Sequence, residues 1–149
     1  MNKRIAILFT SVLLMCAMIL PVGATQQTYQ ETEIIHTEFG DIEKVSVVTV
    51  YNSVARSSTK SADCTDTYKY SGNVIAEVTL SATFGYDGKT SWVVSASGSN
   101  KTYDGWSYGS QSITKSGGTA SLSAKLSHLL WRSVNVNMSL TCSPSGQIS

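Results

Sequence analysis

Apolar residues in the second half of the chain fall on every other position. In NVIAEVTLSATFGY, residues 73–86, Val74, Ala76, Val78, Leu80, Ala82, Phe84 and Tyr86 share one parity, while Glu77, Thr79, Ser81 and Thr83 hold the other. Side chains alternate across a strand, so this stretch predicts a strand with one face on a core and one on water. SVNVNMSLTC repeats the pattern: Val134, Val136, Met138, Leu140 and Cys142 point one way, and Asn135, Asn137, Ser139 and Thr141 the other. KVSVVTVYN predicts a further strand around Val45 to Tyr51, in keeping with its β-branched content. SADCTDTYKY is polar and threonine-rich and reads as an edge strand.

GTASLSAKLSHLLW admits two periods. Leu122, Leu126, Leu129 and Leu130 would line a helix; Ala120, Leu122, Ala124, Leu126 and Leu130 would line a strand. Gly117-Gly118 ahead of it and strands around it favour the strand. Tyr-Asp-Gly occurs twice, at Tyr86-Asp87-Gly88 and at Tyr103-Asp104-Gly105. The first lies between two strand-like runs and predicts a hairpin with a type I′ turn, whose central residues both need positive φ. The second follows the turn-forming SGSN, so one long loop from Ser97 to Gly105 is expected between strands at Trp92 and Trp106. Strands separated by Gly- and Ser-rich turns make the expected fold all-β: a single-domain antiparallel β-sandwich, with a barrel as the alternative.

The first residues have another character. Lys3 and Arg4 precede an apolar run from Ile5 to Leu20, broken only by Thr10 and Ser11, and Pro21-Val22-Gly23-Ala24 follows. This is the layout of a secretory signal peptide, with cleavage expected after Ala24. An uncleaved anchor would want about 20 apolar residues, more than this run supplies. Cys16 follows Met15 rather than a small residue, which argues against lipidation. The expected division is therefore 1–24 signal peptide, 25–42 acidic N-terminal segment and 43–149 β-sandwich.

Removing the leader takes Lys3 and Arg4 and shifts the formal charge from +1 to −1. A near-neutral exported chain of about 125 residues is one domain, located outside the cell, with no electrostatic footing for nucleic acid. Membrane contact is expected only through the leader, before cleavage. Glu31, Glu33, Glu38, Asp41 and Glu43 all precede Lys44, after which basic residues outnumber acids. The acidic stretch reads as a solvated lead-in. The sharper alternative docks it on the body through Ile34, Ile35 and Phe39.

After cleavage two cysteines remain, Cys64 and Cys142. In an exported chain two distant thiols are expected to pair, and the alternative is a free nucleophilic thiol, which would want a histidine partner. The only histidines are His36 and His128, and no metal-ligand spacing, phosphate-binding glycine loop or nucleophile elbow occurs. No cofactor, metal or catalytic residue is expected. His128 on its apolar stripe reads as a packed residue rather than a base. Of the body's five acids, Asp63, Asp66, Glu77, Asp87 and Asp104, two stand in turns, leaving little for a carboxylate pair. The remaining candidates are Tyr103, Trp106 and Tyr108, which could stack on a sugar ring or anchor a protein partner. The same residues would also serve as cross-strand packing.

VIAEVTLSATFGYDGKTSWVVSASGS, WSY and VNVNMSLTCSPSGQIS together resemble small secreted all-β proteins of Gram-positive bacteria that carry a domain of unknown function. The resemblance covers about residues 55–149 and rests on strands and turns. It implies a secreted all-β domain and assigns no functional residues. The expectation is an extracellular, non-catalytic interaction protein that binds protein or glycan. A secreted effector or bacteriocin-like toxin is the alternative, and a small hydrolase the third.

Overall fold

The computed structural model describes residues 26–52, 58–129 and 132–149. The expected leader and its expected cleavage point after Ala24, together with Leu130 and Trp131, lie outside these residues. Among these residues every regular element is a strand: β1 (Gln26–Thr37), β2 (Gly40–Tyr51), β3 (Thr59–Tyr70), β4 (Asn73–Tyr86), β5 (Ser91–Thr102), β6 (Trp106–Ser116), β7 (Thr119–His128) and β8 (Arg132–Thr141). Each pairs antiparallel with its neighbour in sequence, β1 to β5 in one sheet and β6 to β8 in a second. The two sheets pack face to face as a sandwich, and no barrel closes.

Tight turns fix this order. Ser71-Gly72 joins β3 to β4 with φ of 50° and 81°. Asp104-Gly105 joins β5 to β6 with φ of 52° and 78°, and the Trp106 N–H donates to the Tyr103 carbonyl at 3.0 Å. Left-handed backbone at both central positions is the type I′ signature. The second Tyr-Asp-Gly therefore makes the I′ turn, and it carries the chain from one sheet to the other. The first makes a four-residue loop instead. There the Asp87 carboxylate accepts the N–H groups of Lys89 and Thr90 at 2.9 and 2.7 Å, the local bonding that suits Asp to turns.

The expected loop from Ser97 is strand: β5 runs through Ser97-Gly98-Ser99-Asn100. A Cβ on Gly98 would stand 2.6 Å from the Leu122 side chain and 2.9 Å from that of Gln111. This glycine marks a close approach of the layers rather than a turn.

The core follows the alternation. Val78, Leu80 and Phe84 of β4 meet Leu122 and Leu126 of β7 and Val136 and Leu140 of β8, all fully buried. Each such side chain contributes roughly 1.5–3 kcal/mol by leaving water. The 119–128 stretch is a strand because Ala120, Leu122, Ala124 and Leu126 all face this layer.

Two expectations change. SADCTDTYKY is the central strand of the larger sheet, since Ala62, Cys64, Asp66 and Tyr68 form a buried row. The acidic segment is no separate lead-in either. Residues 26–37 pair with β2 along their whole length, and a boundary at 43 falls inside β2. Ile35 and Phe39 pack on the core, while Ile34 stays exposed.

Candidate functional site

The three aromatic candidates do not share a surface. Trp106 is interior, its ring 5.4 Å from that of His128 and 6.2 Å from that of Phe39. Tyr108 follows on the inner face of β6, half-buried, and its hydroxyl donates to Gln111 at 2.8 Å. Tyr103 is exposed on the far side of the larger sheet and donates to Glu77 at 3.0 Å. Trp106 thus closes the core beneath the turns.

Around it the turn-bearing end forms a polar–aromatic cluster. The Tyr70 hydroxyl donates to the Phe39 carbonyl at 2.8 Å, and the Arg132 guanidinium lies 5.8 Å from the Phe39 ring and 5.6 Å from the Tyr70 ring, within cation–π range. His128 places Nδ1 2.8 Å from the Leu129 carbonyl oxygen and Nε2 3.2 Å from that of Asp104. Each ring nitrogen faces a backbone carbonyl oxygen, of which a neutral imidazole can donate to one, and neither is turned to a serine or a carboxylate.

The Cys64–Cys142 bridge is absent: both residues are buried free thiols. Alternation turned Cys142 inward, as expected, and Cys64 is inward as well, but direction says nothing of level. Cys64 sits in mid-sheet opposite Leu80. Cys142 lies past the end of β8, where its N–H donates to the Gly118 carbonyl at 2.8 Å. Thiol labelling of the denatured, unreduced protein should therefore find both cysteines. Burial, then the nearby Asp66 carboxylate, pushes the Cys64 thiol up to about 12, which suppresses the nucleophilic thiolate.

Asp66 is the charged group that sequence reasoning passed over. It is 2% exposed, in the inward row of β3 between Cys64 and Tyr68. Burial raises its pKa, opposed by a hydrogen bond from Ser46 and by the charge of Lys44. Lys44 is itself drawn down by burial, yet the Glu33 hydrogen bond and the Asp66, Glu33 and Glu31 charges raise it overall. Its ammonium meets Glu33 at 2.7 Å. The parity of Ala62, Asp66 and Tyr68 was the available signal. Among the described residues no group of three or more His, Cys, Asp or Glu side chains stands close enough to hold a metal.

The outward faces are lined by hydroxyl and amide groups in register. On the smaller sheet Ser112 stands across from Ser123 and Asn137, and Thr114 across from Ser121 and Ser139. These residues line a shallow trough of about 280 Å³. On the larger sheet Ser61 and Thr83 bond at 2.9 Å and Thr65 and Thr79 at 2.8 Å. Compared with protein-family models, curated proteins and solved structures, the chain gives no match.

Proposed function

We propose that the chain is exported, is cleaved after Ala24, and acts outside the cell as a non-catalytic interaction protein. Its ligand is a neutral, hydroxyl-rich glycan lying along the outer face of the three-stranded sheet. The observation that carries this reading is the trough of Ser112, Thr114, Ser121, Ser123, Asn137 and Ser139. It offers donors and acceptors in rows a strand apart, without a carboxylate or an aromatic anchor. Such a surface matches sugar hydroxyls better than a protein hot spot, which wants buried Trp, Tyr or Arg. The leader pattern supports the extracellular setting.

A second reading, a protein partner at the turn-bearing end, rests on Leu129 and Tyr103, which are 77% and 40% exposed there. Sedimentation of the processed protein with insoluble peptidoglycan, chitin, cellulose and mucin separates the two. Ser123→Arg, which fills the trough without touching the core, should weaken binding about tenfold or more, equivalent to about 1.4 kcal/mol. Tyr103→Ala should leave it unchanged. Loss on Tyr103→Ala alone would move the site to the turns, and a folded wild type that binds none of the polysaccharides would overturn the glycan reading.

A further inference from the structure

Sheet edges are templates for another strand, and natural proteins blunt them with bulges, lysine, proline or a covering segment. Three edges here are blunted. β5 faces a register shift at Thr83/Phe84, and its Val93 N–H is taken by the Gly117 carbonyl at 3.0 Å. β6 breaks register between Gly109 and Ser112, with Ser110 at φ 56°. β8 is covered at its end by the C-terminal tail, where Thr141 and Ser149 exchange N–H···O bonds at 2.8 and 2.9 Å.

β1 carries one such device, the inward-pointing Glu31 and Glu33, and only in its C-terminal half. QQTYQETEIIHT contains no Lys, Pro or Gly, its register against β2 is unbroken, and Gln26 to Ile34 are exposed on both faces. No described strand pairs with its outer edge. We infer that β1 is a docking strand for a second copy of this chain, pairing antiparallel β1 to β1 so that the two larger sheets become one. This rests on the edge alone and does not depend on the glycan reading.

The charges select the occupant and the register. Glu31 and Glu33 sit in the C-terminal half of β1, and Gln26 to Gln30 are uncharged. The two registers nearest full overlap that keep inner face with inner face put Glu31 opposite Glu31 or Glu33 of the other copy, and like charges directly opposed are destabilising. A two-fold centred on Tyr29 sets Glu31 opposite Gln27, Thr28 opposite Gln30 and Thr32 opposite Gln26, and it keeps inner face with inner face. In this register Glu31 of one copy meets a neutral side chain of the other, and Glu33 keeps its own Lys44. A short edge contact of this kind falls below the roughly 1,200 Å² of a permanent interface, so the association is reversible.

Sedimentation equilibrium of the processed protein over a concentration series should show the mass rising to twice the monomer and no further. Tyr29→Cys, with each sulfur facing its copy, should form a cross-chain disulfide under mild oxidation, while Thr32→Cys, facing Gln26, should not. Thr28→Lys with Gln30→Lys sets lysines opposite lysines and should abolish the doubling while leaving the far-ultraviolet circular dichroism unchanged. A monomer at every concentration, equal cross-linking at both positions, or growth beyond two copies (the mark of head-to-tail pairing) would each overturn the inference.

Discussion

The larger sheet lives in two environments. Across β4 the inward row of Val78, Leu80, Ala82 and Phe84 is buried, because the three-stranded sheet lies over it. Across β1 the inward row of Gln27, Tyr29, Glu31 and Glu33 is exposed, because nothing described covers it. Both strands pair antiparallel along their length, although β1 is polar on both faces. Pairing makes a strand, and coverage makes a core.

The seam between the two runs through β2 and β3. There Lys44, Ser46 and Asp66 replace the apolar side chains found one strand further in. Polar groups are tolerated at this line because they answer one another: Ser46 hydrogen-bonds Asp66, and the Lys44 charge stands by it.

Phe84→Ala attacks the covered region and should cost about 3–5 kcal/mol in chemical denaturation. Gly105→Ala strains the turn that carries the chain over to the covering sheet. At φ +78°, with the His128 ring 3.3 Å from the new Cβ, it should cost about 1–2 kcal/mol. Asp66→Asn tests the seam. Burial raises the Asp66 pKa above its unfolded value, so the folded chain holds that proton more tightly. The resulting stability is present below the ordinary carboxylate range and lost as pH rises through the raised value. The Asn variant should therefore be more stable than wild type at neutral pH, with the difference gone below about pH 4. Tyr29→Ala, on the overhang, should stay within about 0.5 kcal/mol of wild type, measured on the dilute monomer.

Much of this division was legible in the chain. Val74 to Phe84 and Val134 to Cys142 declared their buried faces by parity alone, and parity also turned Trp106 and Tyr108 to one side. Coverage was only partly legible: β1 is polar on both faces and β2 sets Lys44 and Ser46 in its inward row, but nothing local says where the second sheet stops. Gly98 was misleading because a glycine needed for the approach of Leu122 looks the same in sequence as one needed for a turn. The two Tyr-Asp-Gly triplets are locally alike as well. Only the residues after them, Lys89-Thr90 in one case and Trp106 in the other, decide between a four-residue loop and a two-residue turn. The cysteines failed as a pair for a related reason: alternation fixes the direction of a side chain but not its height along the sandwich. The aromatic site dissolved once Trp106 was needed to close the core, whereas the hydroxyl trough depends on three strands coming into register.

Residue-resolved amide hydrogen exchange on the dilute processed protein tests the two-environment account most directly. The account predicts slow, globally limited exchange along β3, β4, β7 and β8, and exchange in β1 faster by orders of magnitude, as expected of an edge that opens locally. Protection of β1 equal to that of β4 at low concentration, or unprotected amides in β7 and β8, would contradict it.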